Sequence, residues 1–274
     1  MHTSFIIFNL IALAIVVTAA FRIGVKVSKA AKREAPEAQN NTSYEDCLAK
    51  NTKTFKYGTF TDARDGETYR TVKIGQQVWM AENLRFKAEN SFAPGNEEQN
   101  VAKFGRLYTW TSALNIPPEF SEQSPAKDLD MYHKIKEDNY QGIAPEGWHI
   151  PSLKEWETLM SNFPEESNGI ELRAECCWQR PGEDSVGFFA LPAGYRFDNG
   201  TYCQFGKRAR FWSKDEYGKM NAYRLSLTQN SMDIEASTGP TPFQSAASRT
   251  PKTLRARRLS SPAIKSATEF TEQD

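Results

Sequence analysis

The chain of 274 residues is poor in the side chains that usually perform catalysis or bind metals. Its three histidines are His2, His133 and His149, and no two of them have the spacing of a zinc-ligand pair. The chain contains neither a serine nucleophile elbow nor a phosphate-binding loop. We therefore predict no catalytic residue, no metal site and no cofactor. His149 is expected to be a packed or hydrogen-bonded residue next to Trp148.

The four cysteines are too few for a disulfide scaffold. Cys176 and Cys177 are adjacent and cannot easily bridge each other, and the chain has no Cys-x-x-Cys motif. A redox pair of Cys177 with Cys203 is one alternative. Small buried or free thiols, including Cys47, are the default interpretation.

Two charged clusters are candidate binding sites. Asp62, Asp65 and Glu67 lie close together in sequence and could bind calcium, but such residues also favour turns without an ion, and the EF-hand spacing is absent. No acid falls between Glu235 and Glu269, and this stretch carries several basic residues. It could meet anionic lipid headgroups, although a solvated edge strand explains it as well.

Composition narrows the class of protein. Lys plus Arg and Asp plus Glu are both 34, so the formal net charge is zero and a globally basic nucleic-acid binder is not expected. Six Trp, ten Tyr and 17 Phe indicate a real core, because disordered chains carry few aromatic residues. We assign this folded domain to residues 56–260 and expect residues 261–274 to be a disordered tail.

The N-terminal segment predicts a single-pass membrane anchor at residues 1–27. Residues 1–21 carry no charged side chain, and basic residues follow from Arg22 onward. This asymmetry predicts that the body faces the cytoplasm. The rival is a cleaved signal peptide, because Val17-Thr18-Ala19 is a passable cleavage site, but the segment before the apolar run is not basic. Residues 28–55 are predicted to be a polar linker with a short helix near 43–50.

The elements of the body follow from local patterns. Residues 58–62 and 68–74 predict a hairpin closed by an Asp-Gly turn. Ser152 followed by Glu155 is a capping box, and Trp156 lies on the apolar face of the helix it starts. Further short strands are expected at 76–80, 187–191, 194–197, 210–213, 222–227 and 253–259, and a short helix at 128–137. Short strands, few helices and long loops predict an α+β fold with an irregular sheet.

Six ordered phrases carry a resemblance. They lie at 57–69, 72–84, 105–110, 147–152 (GWHIPS), 187–196 and 211–213 (FWS). Together they resemble the Fibrobacter succinogenes major paralogous domain, in order from about Tyr57 to Leu259. The resemblance implies an envelope or surface protein with no established activity. The Gly-Trp-His and Phe-Trp-Ser phrases are also similar to those of the formylglycine-generating enzyme and C-type-lectin-like fold, which implies a twisted, irregular sheet with long loops.

The chain departs from that family at its cysteines. Family members often have cysteines before the Gly-Arg-Leu-Tyr and Gly-Trp-His phrases and in the closing strand, and this chain has none there. Their joint loss fits a reducing compartment, although the family is mostly exported.

Three functions are consistent with these observations. The first is a membrane-tethered, non-catalytic recognition or scaffold module whose ligand is a carbohydrate or a protein. Exposed rings among four tryptophans would favour a carbohydrate: Trp110, Trp148, Trp178 and Trp212. The second is an oxidase related to the formylglycine-generating enzyme, which would need a reactive cysteine pair late in the domain, where no cysteine follows Cys203. The third is a purely structural envelope paralogue.

Overall fold

The computed structural model describes residues 42–218 and 221–236 and the strand Pro251–Lys252. These residues combine short helices with small antiparallel sheets, which confirms the α+β class. The α-helices, α1 to α5, are Tyr44–Thr54, Val101–Phe104, Trp110–Leu114, Leu129–Lys136 and Leu153–Met160. The strands, β1 to β11, are Gly58–Thr61, Thr68–Ile74, Gln77–Met80, Ser91–Phe92, Leu107–Tyr108, Tyr195–Arg196, Tyr202–Cys203, Ala209–Glu216, Ala222–Leu227, Met232–Ala236 and Pro251–Lys252.

The first sheet has the order β1-β2-β3-β11 and begins with the predicted hairpin. Thr61 pairs with Thr68, and Gly66 at φ 77° accommodates the turn between them. Gly75 at φ 57° separates β2 from β3. β11 pairs with β3 through Pro251 and Trp79, so a late segment of the chain closes the sheet that the early segment begins.

The second sheet has the order β10-β9-β8 and supplies most of the remaining strand structure. Leu227 pairs with Ala209 on one side and with Met232 on the other. The register of β8 against β9 shifts between Trp212 and Glu216, so the end of β8 departs from regular pairing. Two short ribbons, β4-β5 and β6-β7, complete the sheets of the described chain.

The strand predicted at 187–191 was wrong. Only Ala190 forms an isolated bridge, with Arg173. Gly187 and Phe189 have φ values of 75° and 54°, which break an extended strand. Phe188 and Phe189 are nevertheless fully buried. The apolar run at 187–191 therefore indicates a buried segment but not a strand.

Helix α1 lies within the range assigned to the linker, and it packs on the body. Ser43 caps it by accepting a hydrogen bond from the Asp46 amide at 3.0 Å. Cys47 and Asn51 are buried, and Asn51 Nδ2 donates to Asp184 Oδ2 at 2.6 Å. Residues 44–54 are thus part of the folded body rather than of a spacer.

Helix α5 confirms the predicted capping box and core residue. The Glu155 amide donates to Ser152 Oγ at 3.2 Å, and the Ser152 amide donates back to Glu155 Oε2 at 2.9 Å. Trp156 is fully buried, stacks on Trp79 with ring centroids 4.7 Å apart, and donates its indole N–H to the Trp212 carbonyl at 3.2 Å. The helix is thereby fixed to both main sheets.

Residues 115–142 form a long surface excursion. It contains two turns of 3₁₀ helix, Pro118–Ser121 and Pro125–Lys127, followed by α4. Asp128 caps α4 by accepting a hydrogen bond from the Met131 amide at 3.0 Å. The helix predicted at 128–137 is confirmed.

Several expectations fall outside the described residues: the membrane anchor at 1–27, the first half of the linker at 28–41, the closing strand at 253–259, most of the basic stretch after Glu235 and the tail at 261–274. No helix that the structure describes is long and apolar enough to span a bilayer.

We predict that Trp156→Ala destabilises the domain by about 3–5 kcal/mol, because the surrounding rings cannot fill the cavity it leaves. The free energy of unfolding, measured by urea denaturation of a fragment starting at residue 40, checks this value. Glu157→Ala, at an exposed position on the same helix, is the matched control and should change stability by less than about 0.5 kcal/mol. Equal midpoints for the two variants would contradict the core assignment.

Candidate functional site

A concavity of the described residues lies between the surface excursion and the end of β8. We call it the excursion cleft. It has a volume of about 610 Å³ and is lined by residues 122–124, 126 and 127 of the excursion, by Tyr132 and Lys136 of α4, and by Glu216 and Gly218. This volume is within the range of roughly 300–1,000 Å³ that is typical of small-molecule sites.

A hydrogen-bonded frame holds the polar groups of the excursion cleft. Ser124 Oγ donates to Glu216 Oε2 at 2.9 Å and accepts from the Ala126 amide at 3.1 Å. Glu216 Oε1 is buried and has no hydrogen-bond partner among the described residues. A buried acceptor without a donor costs about 1–3 kcal/mol, so a ligand that donates a hydrogen bond here would relieve that cost.

The other wall of the cleft is tied to helix α5. Asp215 Oδ1 pairs with Lys136 Nζ at 3.2 Å, and Asp215 Oδ2 accepts from the Leu153 amide at 2.7 Å. Lys136 Nζ also lies 5.6 Å from the centre of the half-buried Tyr132 ring. The described lining thus offers two carboxylates, two lysine ammonium groups and one aromatic ring, but no His and no Cys.

The four candidate tryptophans do not form a stacking platform. Trp110, Trp148, Trp178 and Trp212 are between 1% and 6% exposed, and their rings belong to the core. The indole N–H of Trp212 donates to the Tyr108 carbonyl at 2.9 Å, which is the usual arrangement of a buried indole. They therefore give no support to glycan stacking.

His149 is packed and hydrogen-bonded, as predicted. It is 3% exposed, and its Nε2 lies 2.7 Å from Glu155 Oε1. Burial opposes ionisation of Glu155, but the hydrogen bonds from His149 and Ser152 outweigh it, so the pKa of Glu155 lies below its usual value. The pair closes the N-terminal end of α5 and has a structural role.

The acidic cluster at the hairpin turn is occupied by protein partners. Both carboxylate oxygens of Asp62 accept from Arg64, and Glu67 pairs with Arg85 Nε at 2.6 Å. Asp65 Oδ1 accepts from the Glu67 amide at 3.0 Å, which is an ordinary turn contact. The part of the chain that the structure describes holds no group of three or more His, Cys, Asp or Glu side chains placed to bind a metal.

All four cysteines are free thiols. Cys177 Sγ lies 3.3 Å from Cys176 Sγ, and Cys176 is also hydrogen-bonded to Cys47. Cys203 belongs to the separate ribbon β6-β7. The structure therefore groups the thiols of Cys47, Cys176 and Cys177, with Cys176 in contact with the other two. Cys177 is paired with Cys176 rather than with Cys203.

A family model for the Fibrobacter succinogenes major domain matches residues 72–237, more than half of the chain. The chain belongs to this family. The matched range contains the excursion cleft, α5, Cys176 and Cys177, whereas α1 with Cys47 precedes it. No curated protein and no solved structure matches the chain.

Sequence reasoning missed the cleft residues Ser124, Tyr132 and Glu216 in this member of the Fibrobacter succinogenes major domain family. Each is unremarkable in its local sequence, and Glu216 is distant from the other two along the chain. No spacing rule joins such residues, because their proximity depends on how the excursion folds against β8.

We predict that Glu155→Gln removes the part of the acidic pH dependence of the free energy of unfolding that comes from Glu155. The folded pKa of Glu155 is lowered, so its carboxylate stabilises the fold above the unfolded pKa, and this contribution is lost as pH falls through the folded value. The stability gap between wild type and variant should be largest near neutral pH and shrink below about pH 4.3, the ordinary Glu pKa. Urea denaturation at several pH values measures it, with exposed Glu157→Gln as the control. A gap that does not vary with pH would contradict the assignment.

Proposed function

We propose that this member of the Fibrobacter succinogenes major domain family is a membrane-tethered, non-catalytic recognition module. Its body would be a C-type-lectin-like domain, and the excursion cleft would be its ligand site. The small irregular sheets, the long excursion and the closure of an early sheet by the late strand β11 support this fold assignment. Membership of the family is consistent with a binding role, since the family has no established activity.

The unpartnered Glu216 oxygen carries the proposal of a ligand site. A ligand hydroxyl group would donate to Oε1 of this carboxylate, and the Tyr132 ring of the same lining would contact the apolar face of a sugar. Lys127 and Lys136 would donate to ligand oxygens from the other lining positions. These groups favour a hydroxyl-rich ligand, a saccharide unit above all, over a purely apolar one.

The tether is proposed from the sequence. The uncharged run at 1–21 is long enough to cross a bilayer, and the basic residues after it favour a cytoplasmic body. The four free thiols are compatible with a reducing compartment. The habit of the family favours export, in which case an extracellular polysaccharide would be the ligand; a cytoplasmic body would direct the search to intracellular partners.

Neither alternative function has an observation of its own in its favour. An oxidase related to the formylglycine-generating enzyme would place a cysteine pair in a pocket, and the described lining of the excursion cleft contains no cysteine. A purely structural paralogue would need no cleft with an unsatisfied carboxylate oxygen. The geometry therefore favours recognition.

We predict that Glu216→Gln weakens saccharide binding by about tenfold or more, because a hydrogen bond to a charged group contributes about 1.5–3 kcal/mol. Tyr132→Ala should also weaken binding, because the contact between the ring and the sugar is lost. A glycan array identifies the saccharide for the wild-type chain, and calorimetry compares the variants. Glu119→Gln, an exposed excursion residue outside the described lining, is the matched control. Equal affinity in all four proteins would move the site elsewhere, and an array without a hit would remove the saccharide proposal.

We predict that the body resists added protease in intact cells and in spheroplasts and is digested only when the membrane is dissolved, as the charge asymmetry requires. A C-terminal tag on the full chain reports cleavage. Digestion in spheroplasts would place the body outside and overturn the positive-inside argument. Recovery of the chain in the soluble fraction would overturn the tether itself.

A further inference from the structure

The three thiols gathered around Cys176 form a row that crosses between two segments of the fold. Cys47 lies on helix α1, and Cys176 and Cys177 lie on the loop that follows Ala174. Cys176 is in the middle: its sulfur is 3.3 Å from Cys177 Sγ and is hydrogen-bonded to Cys47. The two ends differ in access, because Cys47 is 2% exposed and Cys177 is only half-buried.

The surrounding structure holds this row in place. Lys50, one turn after Cys47 on α1, pairs with Glu175 at 2.5 Å. Cys47 and Lys50 on one face of the helix therefore contact Cys176 and Glu175, which are adjacent on the loop. Two hydrogen bonds to one carbonyl also hold the loop: the Ala174 amide and the Trp178 indole both donate to the Ala190 carbonyl, at 3.0 and 2.8 Å. The thiols are therefore positioned by rigid partners.

Cys177 is the unusual member of the row. Its φ is 69°, a left-handed conformation that is uncommon for a residue with a side chain and that often marks a functional position. The hydrogen bond between Cys176 and Cys177 and the charge of Lys103 outweigh burial and lower the pKa of Cys177 to about 7. A thiol with that pKa is substantially ionised at neutral pH, whereas an ordinary cysteine is not.

We infer that Cys177, Cys176 and Cys47 form a thiol relay that reacts with small-molecule disulfides and ends in a buried Cys47–Cys176 disulfide. Its product would join α1, which precedes the family match, to a loop inside the match. The relay is independent of the saccharide site, because no cysteine lies in the described lining of the excursion cleft.

The relay takes three exchange steps. The Cys177 thiolate attacks one sulfur of the small disulfide, which breaks its S–S bond and releases one small thiolate. The Cys176 sulfur then attacks Cys177 Sγ, releases the second small thiolate and passes its proton to it. The Cys47 sulfur finally attacks Cys176 Sγ, and Cys177 departs as the thiolate and regains a proton. Overall, two protein thiols are oxidised and the small disulfide is reduced to two thiols.

Geometry explains why the bond ends at Cys47 rather than at Cys177. Consecutive Cα atoms are about 3.8 Å apart, and most disulfides need about 4.4–6.8 Å. A bond between Cys176 and Cys177 is therefore strained and easily attacked. Cys47 lies on a different segment, so a bond between Cys47 and Cys176 is not limited by the short distance between adjacent Cα atoms. Both residues are buried, so this bond would be shielded from solvent.

The test uses the purified full chain in detergent, incubated with reduced and oxidised glutathione, quenched with acid and alkylated. Tryptic peptides 34–50, 174–196 and 197–207 separate Cys47, the adjacent pair and Cys203. We expect a crosslink between the first two peptides and none to the third. If Cys47 stays alkylatable under oxidising conditions, or if the crosslink joins Cys203, the relay is refuted.

Variants identify the order of the steps. Cys176→Ser should abolish the crosslink, whereas Cys177→Ser should keep it and slow its formation at least about tenfold, because Cys47 and Cys176, the remaining thiols of the row, are buried and less accessible to the small disulfide. Cys203→Ser is the matched control and should leave the rate unchanged. A Cys177→Ser rate equal to wild type would overturn the role of Cys177. Fragment-ion sequencing of the wild-type crosslinked peptide assigns the bond to Cys176 or to Cys177 even if a variant fails to fold, and a bond to Cys177 would refute the relay.

Discussion

The packing of Trp156 is the constraint on which the rest of this structure depends. Its ring stacks on Trp79 of β3 and lies near Phe211 of β8, while its indole N–H is satisfied by the Trp212 carbonyl. One buried side chain thus joins α5 to both main sheets, neither of which has enough strands to enclose a core alone. Aromatic residues suit this role, because each buries a large apolar area and imposes a preferred ring geometry.

The position of α5 also determines the position of residues that line the excursion cleft. The capping box fixes the start of the helix, and the Leu153 amide there donates to Asp215 at the irregular end of β8. Asp215 in turn pairs with Lys136 on α4, so the core helix and the surface excursion share one carboxylate. The cleft is therefore an outcome of core packing, although its lining residues are polar and lie at the surface.

A buried polar network attaches α1 to the body. Asn51 donates to Asp184 and accepts from Arg70 Nη1 at 2.7 Å, and Asp184 also accepts from the Phe189 amide at 2.8 Å. The Arg70 guanidinium lies 4.6 Å from the centre of the Tyr57 ring. These contacts satisfy buried polar groups that would otherwise be costly, and they bring Cys47 to Cys176.

The sequence predicted the elements whose causes are local. The Asp-Gly turn before β2, the Ser152 and Glu155 capping box and the Asp128 cap each depend on residues a few positions apart. It failed at 187–191, where an apolar run suggested a strand and positive φ values prevented one. It predicted a helix near 43–50, but its polar composition suggested a linker, since a helix buried through one cysteine and one asparagine carries little apolar signal.

The sequence by itself therefore determined the family, the α+β class and the ends of several elements. Helix caps, turns and the family motifs each depend on residues that are only a few positions apart, so they can be recognised without the fold. Only the tertiary structure decided that four tryptophans are core, that Glu216 faces a cleft built by a distant excursion, and that Cys47 joins Cys176. Those facts depend on which surfaces pack together, and packing is settled by the whole set of buried contacts rather than by the spacing of any few residues.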